Sequence, residues 1–156
     1  MTQSNSNTAS ERWARRACGT LAVGGGASAL VTTFANAEGL ASTLAYVIAL
    51  LFSLVYVAGV WIGLRLIENK PGAWKLLKIY MWVQVPVLQT GILTYFLGAL
   101  FSVSCVYAGG VTFRFVFAPA GGWTFSLFTA QPAFGIGVNL VPVCALLAAR
   151  VFEIRR

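Results

Sequence analysis

The 156-residue chain contains no histidine and no aspartate, and its only carboxylate side chains are Glu11, Glu38, Glu68 and Glu153. Without His or Asp there is no Ser-His-Asp arrangement and no HExxH motif, and glutamates so widely scattered offer no acid–base pair. The expectation is a protein that is not an enzyme, with no catalytic residue, no metal and no cofactor. Cysteine is scarce too. Cys18, Cys105 and Cys144 lie far apart without a CxxC spacing, a pattern of small buried apolar residues rather than of a thiol redox centre.

Charge of either sign is rare, at 10% of residues, whereas the mean hydropathy is +0.79. Four stretches carry no charge at all: Ala17 to Ala37, Gly39 to Leu64, Ile79 to Phe113 and Phe115 to Ala149. Each is long enough to cross a hydrocarbon core of about 30 Å. The fold class read from this pattern is an all-α integral membrane protein with four transmembrane helices, at about 18–34, 44–64, 79–106 and 134–149. Residues 1–16 are a cytoplasmic basic tail and 17–156 the transmembrane domain.

The net charge of +7 follows topology. Arg12, Arg15 and Arg16 precede the first span, Arg65, Lys70, Lys75 and Lys78 lie around the loop between spans two and three, and Arg150, Arg155 and Arg156 close the chain. Only Arg114 falls on the other side. The positive-inside rule then places both termini in the cytoplasm of a plasma (inner) membrane, and no nucleic-acid motif competes. Lys70, Lys75 and Lys78 read first as topology determinants, with contacts to anionic headgroups or to a partner's acidic surface as the sharper alternative. The basic start, apolar core and Ala35-Asn36-Ala37 of the first span also imitate a cleavable signal sequence. The core is longer than the usual signal, so a retained helix is the reading adopted.

The segment 111–129 differs from the rest in its period. Val111, Phe113, Phe115 and Phe117 alternate with Thr112, Arg114 and Val116. Beyond Ala118-Pro119-Ala120-Gly121-Gly122, Trp123, Phe125 and Leu127 alternate with Thr124 and Ser126. Alternation interrupted by turn residues predicts a β-hairpin, here extracytoplasmic and between helices 3 and 4. Phe113, Phe115, Phe117, Trp123 and Phe125 form its expected docking face.

Within the expected helices, Gly59 and Gly63 form a GxxxG pair suited to close packing. Pro86 and Pro142 are expected kinks. Gln84, Gln89, Thr94 and Asn139 are the intramembrane polar residues, with Gln89 the expected partner of Asn139. Thr90, Thr94, Gly98 and Ser102 recur every fourth residue, a small-residue face for another helix. The functional expectation is protein–protein interaction within the membrane, as an accessory or assembly subunit or an immunity-type binder. Its partners are membrane lipids and other membrane subunits or further copies of itself. The alternative is a homo-oligomeric pore or small-solute transporter lined by helices 3 and 4.

Overall fold

The computed structural model describes residues 9–36, 42–90, 93–98, 102–107, 111–116, 122–127 and 134–154. Among them are four helices, α1 (Ala9–Ala35), α2 (Thr43–Ile67), α3 (Ala73–Gln84) and α4 (Leu140–Ile154). Six strands lie between α3 and α4: β1 (Pro86–Gln89), β2 (Leu93–Gly98), β3 (Ser102–Tyr107), β4 (Val111–Val116), β5 (Gly122–Leu127) and β6 (Gly135–Asn139). They form one antiparallel sheet in the order β4-β3-β6-β1-β2-β5.

Two helices, α1 and α2, are long and apolar enough to cross a membrane. They pack as an antiparallel pair along a seam of small residues. On α1 the buried positions Arg15, Gly19, Ala22, Gly26, Ala29 and Thr33 follow a four-three spacing that keeps them on one face. A methyl group at Gly63 would sit 2.7 Å from the Gly19 carbonyl oxygen, and one at Gly26 would sit 2.8 Å from that of Tyr56. Backbones therefore touch where side chains would otherwise hold them apart. α2 starts at Ser42, whose hydroxyl accepts from the Ala45 amide at 3.2 Å. It ends in a Schellman turn: Asn69 adopts φ 59°, the Asn69 amide donates to Leu66 O and the Lys70 amide to Arg65 O. Pro71 follows, and Gly72, also left-handed at φ 76°, caps α3.

The expected third and fourth spans are each part helix and part strand. Residues 79–106 form a helix only to Gln84, and Pro86 opens β1 instead of kinking a continuing helix. Proline withholds the amide a further turn would need and clashes with the preceding turn. Residues 134–149 begin as β6 and turn helical at Leu140. Pro142 then lies in the first turn of α4, where no intrahelical donor is required, so it kinks nothing. α1 begins at Ala9, within the stretch 1–16 assigned to the basic tail.

Val111–Val116 and Gly122–Leu127 are strands, but they do not pair with each other. β4 pairs with β3 and β5 with β2, and the two occupy opposite edges of the sheet. Each has a long apolar strand upstream that offers a full six-residue register, from Ser102↔Val116 to Tyr107↔Val111 and from Leu93↔Leu127 to Gly98↔Gly122.

The core lies in two clusters. Ala22, Ile62, Leu66, Ala73, Leu77 and Tyr80 pack where α1, α2 and α3 meet. Ala29, Phe52, Tyr56 and Leu97 pack where the helices meet β2. Trp123 of β5 completes the second: its ring stacks on Phe52 at 4.9 Å and 15°, and its Nε1 donates to the Thr33 hydroxyl at 3.1 Å.

Candidate functional site

Two of the four expected intramembrane polar residues, Gln84 and Asn139, lie at the joint where α3 gives way to β1 and β6 to α4. Gln84 ends α3 and is buried, and its Nε2 donates to the Tyr80 carbonyl at 3.4 Å. Asn139 ends β6 and is only 1% exposed. Its amide donates to Val85 O at 2.8 Å, and its Oδ1 accepts from the Val141 amide at 3.3 Å, capping α4. The Asn139 Nδ2 is buried without a partner. Gln89 is not its neighbour. In the sheet Gln89 is in register with Gly135 and Thr94, whereas Asn139 is in register with Ser104. A helical pairing would have set Asn139 opposite Gln89; the strand rise of about 3.3 Å per residue carries them apart.

The other expected site residues fall in several places. Gly63 faces Gly19 of α1, whereas Gly59 seats the Tyr80 ring of α3, so the two glycines serve different neighbours. Thr94 lies on β2 in register with Ser126, and Gly98, which is buried, is in register with Gly122. Phe113 and Phe115 are in register with Cys105 and Val103, and Phe125 with Tyr95. The side chains of Gln89, Phe113, Phe115 and Phe125 lie outside the described residues, as does Phe117 entirely. Trp123 is turned against α1 and α2, which removes it from an outward docking face.

Among the described residues of the sheet and its edge, large apolar side chains are exposed at β6 and β3. Along β6, Gly135, Gly137 and Asn139 are buried while Ile136 and Val138 are exposed. Phe134 and Tyr107 are exposed beside them. A strand with glycines inward and branched apolar residues outward inverts the water-soluble pattern. The helices show the same inversion. On α2, Leu44, Val47, Leu50, Leu51, Leu54, Val57, Trp61 and Leu64 are all exposed.

Two further residues make a contact that their positions in the sequence do not announce. Arg15, counted above only among the basic residues before the first span, is 7% exposed and donates from Nη1 to the Oδ1 of Asn69 in the turn after α2. The detectable signal was the four-three spacing, which puts Arg15 in line with Gly19, Ala22 and Gly26. Among the described residues no cluster of His, Cys, Asp or Glu could hold a metal ion. No family model matches the chain, and neither does any curated protein or solved structure.

Proposed function

We propose that the protein is a non-enzymatic, multi-pass protein of the plasma (inner) membrane that acts by binding other membrane protein subunits or further copies of itself. The observation that carries this is the outward face of α2, charge-free from Thr43 to Leu64 and lined with exposed leucines, valines and Trp61. Such a face requires lipid or protein cover. The antiparallel packing of α1 on α2, with Gly19 against Gly63, brings Arg12, Arg15 and Arg16 to the end that carries Arg65 and Lys70. β1 and β6 pair antiparallel and α3 packs on α4, so Arg150 comes to that end as well. A basic end of this kind favours the cytoplasm for both termini. The exposed row Phe134, Ile136 and Val138 with Tyr107 is the docking surface in this reading.

The test is purification in mild detergent with cross-linking and mass spectrometry. A stoichiometric companion, foreign or identical, cross-linked through β6 and lost in Ile136→Asn/Val138→Asn with the protein still membrane-inserted, supports the reading. A solitary chain whose cross-links never involve β6 contradicts it. The alternative, a pore or solute carrier, draws on the unpartnered Asn139 Nδ2. The twelve residues of α3 rise only about 18 Å, so helices 3 and 4 alone would not line a path across the membrane. A solute flux abolished by Asn139→Leu would favour that alternative.

A further inference from the structure

At the basic end the Schellman turn, the start of α3 and the first turns of α1 enclose a cavity of about 360 Å³, lined by Arg15, Leu66, residues Asn69 to Trp74, and Lys75. Its chemistry is one-sided. Arg15, Lys70 and Lys75 contribute three positive charges, and no carboxylate lines the cavity. Glu68 lies 3.8 Å from the Lys70 ammonium and, like it, is more than half exposed. Screening by water makes that pair weak. α3 starts at Gly72 with no side-chain cap, so the positive end of a twelve-residue helix dipole opens on the same wall.

Arg15 is the observation that points to a ligand. It is more than nine-tenths buried and lines the cavity, and its Nε is buried with no hydrogen-bond partner. The Asn69 carboxamide holds Nη1 and thereby fixes the guanidinium plane. Nε belongs to the other edge of the fork, which with Nη2 makes the side-on pair of parallel donors that matches two oxygens of a phosphate. A buried arginine donor with no acceptor is costly. The bound anion would relieve that cost. Arg65, whose Nε is also buried without a partner, does not line the cavity: its Nη2 donates to Pro71 O at 3.4 Å and its guanidinium lies 4.8 Å above the Trp61 ring.

We infer that this cavity is a phosphate-binding site, in which the Nε edge of Arg15, the Lys70 and Lys75 ammonium groups and the uncapped N-terminus of α3 hold one phosphate group. The group can belong to an anionic phospholipid headgroup or be a free phosphate. The lipid source rests on the membrane placement proposed above; the free-phosphate source does not. Trp74 on the cavity wall suits a headgroup depth.

The test uses the full chain, delipidated in neutral detergent, with three probes measured by native mass spectrometry and titration: phosphatidylglycerol, phosphatidylcholine and inorganic phosphate. Retention of one phosphatidylglycerol in preference to phosphatidylcholine assigns a lipid headgroup, and saturable inorganic phosphate without lipid preference assigns a free phosphate. Either supports the inference if Arg15→Gln weakens binding about tenfold and Lys75→Gln, at an exposed position, weakens it several-fold in a chain that remains folded. No saturable binding to any probe, or binding that Lys75→Gln and Lys70→Gln leave unchanged, overturns it. Membrane extraction of the same variants reports insertion separately, so loss of the phosphate site does not count against the membrane reading.

Discussion

Arg15 and Asn69, 54 positions apart, are joined by a hydrogen bond from the guanidinium Nη1 to the carboxamide Oδ1. Asn69 also supplies the left-handed residue that ends α2. One residue thus closes a helix and fastens the start of α1 to the turn before α3. The backbone role and the side-chain role can be separated. Asn69→Gly keeps the left-handed conformation without strain but removes the acceptor; Asn69→Ala removes the acceptor and adds a backbone cost of about 1–2 kcal/mol. Thermal unfolding in detergent is expected to rank wild type above Asn69→Gly and Asn69→Gly above Asn69→Ala.

The contact of α1 with α2 predicts unequal effects at the two glycines of the GxxxG pair. A Cβ at Gly63 meets the Gly19 backbone carbonyl, which moves only with the whole helix. A Cβ at Gly59 meets the far end of the Tyr80 side chain, which gives way at less cost than backbone. Gly63→Ala should therefore lower stability by about 1–3 kcal/mol and Gly59→Ala by less. Equilibrium unfolding of the two variants in one detergent reads the difference.

At the junction of helices and sheet, Trp123→Phe retains a ring for stacking on Phe52 and loses the hydrogen bond to Thr33. The expected loss is about 1 kcal/mol. A double-mutant cycle with Thr33→Val should recover a coupling of similar size; additive single effects would place the stability of this contact in the stacking alone.

Strand order has its own test, with the three native cysteines replaced by serine. Ser104→Cys with Arg114→Cys sits at paired positions of β3 and β4 and should cross-link on mild oxidation. Arg114→Cys with Thr124→Cys, which a hairpin of β4 on β5 would bring face to face, should stay reduced because those strands occupy opposite sheet edges.

The long helices were legible in the sequence because α1 and α2 offer length, low charge and a small-residue seam together. The third and fourth spans were misread for a specific reason. Thr90, Thr94, Gly98 and Ser102 are four apart, and a spacing of four lies on one face of a helix and equally on one face of a strand. Hydropathy and length then favoured the helix. Alternation within Ser102 to Tyr107 was the available signal for strand, and Pro86 for the helix end. Val111–Val116 and Gly122–Leu127 were legible as strands, but alternation reports a period and names no partner. Adjacency supplied the wrong one: β4 pairs over all six residues with β3, and β5 over all six with β2. Of the polar joint, Gln84 and Asn139 were visible as residues, and their meeting depended on where helix gave way to strand. Arg15 was hidden by its type, because an arginine beside two others reads as surface charge.

In the proposed arrangement the α1–α2 pair crosses a membrane with its basic end in the cytoplasm. Single cysteines at Ser42, before α2, and at Lys75, on the basic end, placed in a serine background for the native three, test it with an impermeant thiol reagent on intact and permeabilised cells. Ser42→Cys should be labelled in intact cells and Lys75→Cys only after permeabilisation. Labelling of both positions from the same side, or recovery of the chain in the soluble fraction, would contradict it.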